Sequence, residues 1–106
     1  MNTRALELIA ENPHTSIETL VCLATHPAAE VRMAVTENEH APLSTLLALA
    51  SDENPDVRYR IAENPRIDRK VLEILVSDSN PYISWRALNT LRRTQTGQHG
   101  KLSCAA

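Results

Sequence analysis

Apolar positions recur along this chain with two periods. Over short stretches they fall at i, i+3 and i+4, as in Val31, Ala34 and Val35, which is the spacing of one buried helix face. Over longer distances the whole pattern returns every 26 residues. The stretch VRYRIAENP (Val57–Pro65) has a counterpart 26 positions upstream in VRMAVTENE (Val31–Glu39). A fainter copy, ALELIAENP (Ala5–Pro13), lies 26 further upstream, and a degenerate one, ISWRALNTL (Ile83–Leu91), lies 26 downstream. A fixed period between about 20 and 50 residues is the signature of stacked supersecondary units. The pattern predicts three full units, Ala5–Glu30, Val31–Asp56 and Val57–Tyr82, and a capping half unit from Ile83 to about Arg93.

Each unit reads as two short helices. The first carries Val31, Ala34 and Val35 in one copy, Val57 and Ile61 in the next, and Ile83 and Ala87 in the last. Asn54-Pro55 and Asn80-Pro81 mark its start: asparagine caps free amides, and proline suits the first helical position, where its missing N–H has no partner to lose. Asn12, Asn38 and Asn64 mark its end, in the left-handed conformation asparagine tolerates, and Pro13 and Pro65 bar continuation. Its shortness leaves room for 3₁₀ geometry. The second helix is expected over about Ser16–Thr25, Pro42–Ser51 and Asp68–Ser77, with Thr15 or Ser16 and Asp68 as caps. Leu20, Leu46 and Leu72 share one repeat position and are expected to form a continuous leucine row. No unit can bury its apolar stripe alone, so neighbours must cover it. From Thr94 periodicity is lost, and 94–106 is expected to be a disordered tail.

Composition agrees with an all-α fold. The chain has 106 residues, enough for one domain, with two glycines and no phenylalanine, so its core must be built from Leu, Ile, Val and Ala. The net charge of −2 is unevenly spread. Met1–Glu53 holds two bases and eight acids, hence −6, whereas Asn54–Ala106 holds nine bases and five acids, hence +4. Cys22 falls on an apolar face and reads as a buried thiol. Cys104 lies in the tail, and the pair has no metal-ligand spacing. No apolar run has the length of a signal peptide or a bilayer span, so a cytoplasmic location is the default expectation.

The VR-x-A-V-x-x-N run at Val31–Asn38, its match at Val57–Pro65 and the run LLALASDENPDVR at Leu46–Arg58 resemble the leucine-rich repeat variant family, a HEAT-like class of helical repeats. The resemblance covers about Ala5–Arg93 and implies an all-α, right-handed α-solenoid of paired α- and 3₁₀-type helices. It also implies protein binding as the broad family function. Some members carry a cysteine cluster for an iron–sulfur centre; this chain has no such cluster. Its first unit departs from the pattern, with Leu6 where Arg32 and Arg58 stand.

Candidate contact residues come from the face opposite the core stripe. Met33 projects roughly away from Val31, Ala34 and Val35 at 100° per residue, and its repeat equivalents are Tyr59 and Trp85. Arg58, Arg60 and Arg86 flank them, and Trp, Tyr and Arg together are the composition of binding hot spots. The alternative is that this row packs against neighbouring helices. Arg32 and Arg58 also have a structural reading, in which they reach acids such as Glu30, Asp52 or Asp56, with Asp52 and Asp78 as rungs of a ladder. His14 and His40 share a turn position but lack a third ligand, so no metal and no cofactor is expected. No phosphate loop or nucleophile–base spacing occurs. The leading expectation is a non-enzymatic module binding another protein through Met33, Tyr59, Trp85, Arg58, Arg60 and Arg86. The basic C-terminal half carries a nucleic-acid alternative, against which its interleaved acids speak. A third reading is a homodimer joined through the repeat ends.

Overall fold

The computed structural model describes the backbone of residues 2–105 and the side chains of residues 2–94. Among them there are seven α-helices and no strand. These are α1 (Thr3–Glu11), α2 (Ile17–Leu23), α3 (Ala29–Thr36), α4 (Leu43–Leu49), α5 (Pro55–Ala62), α6 (Arg69–Leu75) and α7 (Pro81–Ala105). None is long and apolar enough to cross a membrane. The stretch from residue 94, expected as a disordered tail, continues α7 to Ala105, and the side chains from residue 95, Cys104 among them, lie outside the described residues.

The caps follow from the sequence. Ser16 Oγ accepts from the Thr19 amide, Asn54 from Asp56, Asp68 from Lys70 and Asn80 from Tyr82. Pro55 and Pro81 open their helices directly after an asparagine. Two expectations about the first helices are corrected. All are α-helical, with 3₁₀-type bonds confined to end turns such as Asn38 N–H to Val35 O and Asn64 N–H to Ile61 O. No non-glycine residue among those described has positive φ. The asparagines turn the chain through their side chains instead. Asn12, Asn38 and Asn64 accept from the amides of His14, His40 and Arg66 at 2.8–2.9 Å, which closes a turn at negative φ and removes the need for the left-handed region.

Packing is dominated by the odd-numbered helices. α1 lies on α3, α3 on α5 and α5 on α7. The even-numbered helices are applied to this row: α2 touches α1 and α3, α4 touches α3, and α6 touches α5 and α7. The core contains no aromatic ring; its fully buried side chains include Val31, Val35, Val57, Ile61, Leu72 and Ile83. The leucine row is only partly as expected. Leu20, Leu46 and Leu72 are all buried, but Leu46 and Leu72 join the main cluster and Leu20 stands apart from it. The main contacts of α2, α4 and α6 are with odd-numbered helices and not with one another.

Buried polar groups tie the elements together. Asn38 Nδ2 donates to Ala10 O at 2.8 Å and Asn12 O at 3.0 Å, joining α3 to the end of α1. An unpaired amide buried here would cost about 1–3 kcal/mol, so this contact also specifies the seating of the two helices. Cys22 is exposed, contrary to expectation. α2 buries Leu20 and Leu23 and leaves Cys22 outward, as the repeat equivalents Ala48 and Ile74 also are.

Candidate functional site

Two arginine–aspartate pairs stand at the turns that lead out of the second helices. Arg32 Nε and Nη2 donate to Asp52 at 2.8 and 3.0 Å, and its Nη1 donates to the carbonyls of His26 and Pro27. One repeat later, Arg58 Nε donates to Asp78 at 2.8 Å and its Nη1 to Asp52 O at 2.7 Å. Asp52 and Asp78 each accept a further bond from the amide two residues on, Asn54 and Asn80. Each arginine thus reaches forward 20 residues to its acid and back to the preceding turn. His26 occupies the same position in the first unit and caps Ala28 through Nδ1, without an arginine because Leu6 stands there. Ser84 replaces the arginine in the last copy and donates to Val76 O.

The electrostatics of the first pair follow from its burial. Burial pushes the Asp52 carboxyl upward, but the hydrogen bond from Arg32, the Asn54 amide and the charges of Arg32 and Arg58 outweigh it. Asp52 therefore titrates below the usual carboxylate range. The Asp52 hydrogen bond raises Arg32 above its ordinary value against the opposing effect of burial. The Arg58 guanidinium is engaged by Asp78 and a backbone carbonyl.

Arg60 points to another side. It pairs with Glu37 and, at 3.6 Å, with Glu63, where all three side chains are close to half exposed. This surface triplet borders an open groove of about 560 Å³ between the turn after α3 and the turn after α5. Leu46 and Ile67 form part of its floor, and Glu39, Arg66 and Asp68 stand among its walls. Among the described residues no group of three or more His, Cys, Asp or Glu could hold a metal ion.

The aromatic residues occupy the last two odd-numbered helices. Tyr59 on α5 is 37% exposed, Trp85 on α7 is 61% exposed and Tyr82, one turn before it, is 77% exposed. Met33, the third member of the repeat row, is half-buried and packs against the core. The row is therefore graded: covered on α3, partly covered on α5 and bare on α7. Arg86 is half-buried, and its Nε has no hydrogen-bond partner among the described residues. Tyr82 lies outside the repeat row, with acids, Glu30 and Asp56, at its repeat positions, and its i,i+3 spacing to Trp85 is the sequence signal that places it beside the indole.

No protein-family model, curated protein or solved structure matches this chain.

Proposed function

We propose that this chain is a non-enzymatic module that binds another protein through the aromatic and arginine surface of α5 and α7. In this proposal Trp85, Tyr82 and Tyr59 are the apolar anchors, with Arg60 and Arg86 beside them. Of the residues singled out from sequence, Arg58 then serves the fold through Asp78, and Met33 serves the core.

One observation carries the proposal. The chain has three aromatic residues, and all three are exposed while the core holds none. Aromatic side chains offer the largest gain on burial, so a fold that leaves Trp85 and Tyr82 mostly in water and Tyr59 partly so is holding apolar surface in reserve. Tyr, Trp and Arg dominate the energetics of interfaces through buried anchors with polar tips.

We further propose that the 26-residue units stack as a HEAT-like α-solenoid of the leucine-rich repeat variant kind, with three repeats and α7 as the cap. Support comes from the order of packing of the odd-numbered helices, the recurring arginine–aspartate pairs and the recurring asparagine turns.

Affinity capture from the native cell, comparing the wild-type chain with Tyr59→Ala/Trp85→Ala, tests the function. Loss of a hot-spot aromatic costs about 2 kcal/mol or more, so the double variant is expected to bind its partner at least roughly 30-fold more weakly while its circular dichroism is unchanged. Equal capture by both chains, or turnover of a small metabolite by the purified protein, overturns the proposal.

A further inference from the structure

The two ends of the molecule differ in chemistry in a complementary way. At the N-terminal end, α1 and α2 leave Leu8, Ile17 and Val21 exposed. These positions are covered in the next unit. Leu8 is 53% exposed, but its equivalent Ala34 is 3% exposed, and Leu43 and Leu47, equivalent to Ile17 and Val21, pack against the core. Glu11 and Glu18 stand on the same two helices, with no cation at ion-pair distance among the described residues.

At the other end, α7 from Pro81 to Thr94 contains three arginines and no acid. Arg86, Arg92 and Arg93 have no ion-pair partner among the described residues. Trp85 lies bare on this helix, whereas the equivalent Met33 is packed where a neighbouring helix follows. One end thus presents aliphatic surface with acids, and the other an aromatic ring with bases.

We infer that the C-terminal end of one chain, at α7, docks on the N-terminal end of a second copy, at α1 and α2. This rests on the protein-binding reading and names a second copy of this chain as the partner. The contact is head-to-tail: it joins two different surfaces and leaves one of each free, so copies add in a row rather than closing as a symmetric dimer. Apolar burial supplies the adhesion, and the opposite charges select the register and speed the encounter.

Sedimentation of the full chain over a wide concentration range, at low and high salt, tests this. The expected result is a mass rising above the 11.8 kDa of one chain with concentration, and a smaller rise at high salt. A head-blocked variant, Leu8→Lys/Val21→Lys, and a tail-blocked variant, Trp85→Glu/Arg93→Glu, are each expected to remain single. Mixed together, they retain one intact head and one intact tail, so the mixture is expected to stop at two chains. A wild type of single-chain mass at every concentration overturns the inference, as does a mixture that stays single. A wild type that stops at two chains also overturns it, in favour of a symmetric contact. A single-chain wild type whose Trp85 is still shielded by a captured cellular protein sinks only the self-association and leaves the protein-binding proposal standing. An indole exposed in both settings sinks both.

Discussion

Asp52 shows how much one side chain carries. It accepts two bonds from Arg32 and one from the Asn54 amide, and its carbonyl receives Arg58. Removing one member of a buried ion pair leaves the other charge unpaired, a loss of about 3 kcal/mol or more. Asp52→Ala is expected to lower unfolding stability by roughly that amount in a denaturant titration, and a change below about 0.5 kcal/mol would show the pair to be ornamental. Replacing both Arg32 and Asp52 by apolar residues is expected to cost less than Asp52→Ala alone, because no orphan charge remains. The pH dependence has a definite sign. The folded carboxyl titrates below its unfolded value, so its contribution is fully present above the ordinary Asp range near 3.9. It is lost as pH falls through the lower folded value, and Asp52→Asn is expected to flatten that acid limb of the stability profile.

At the scale of the helices, two equivalent leucines are set apart by their surroundings. Leu72 is 1% exposed on α6, a helix packed on both α5 and α7, whereas Leu46 lines the open groove on α4, a helix whose main neighbour is α3. A core leucine costs about 2–5 kcal/mol on truncation, depending on how well the site can collapse. Leu72→Ala is expected in the upper half of that range and Leu46→Ala near its foot, about 2 kcal/mol; thermal unfolding of the pair checks the order, and equal losses would contradict it. The second-helix bounds were legible from caps and apolar spacing to within two residues. Cys22 was not, because a seven-residue helix packed on one side has room for an apolar residue on its outer face. The asparagine turns were legible in place but not in conformation: sequence marks where asparagine turns the chain, but the expected left-handed backbone is replaced by the side-chain oxygen accepting from the amide two residues on at negative φ.

At the scale of the whole molecule, α3 and α5 have neighbours on both sides, whereas α1 has one in the odd-numbered row. Local opening free energies follow such coverage. Amides of α1 and α2 are expected to exchange with solvent faster than those of α3 and α5 under native conditions, and uniform protection would argue for a single cooperative unit instead. Sequence by itself determined the placing of the short helices, the caps at Ser16, Asn54, Asp68 and Asn80 and the aliphatic core, and it offered the arginine–aspartate pairs as one of two readings of Arg32 and Arg58. These depend on local periodicity and on chemistry repeated at a fixed interval, and repetition lets one copy be read from another. Tertiary structure alone decided which copies of a repeated position meet a neighbour and which meet water. Met33, Tyr59 and Trp85 look alike on a helical wheel; a wheel describes one helix, and exposure depends on the helix beside it.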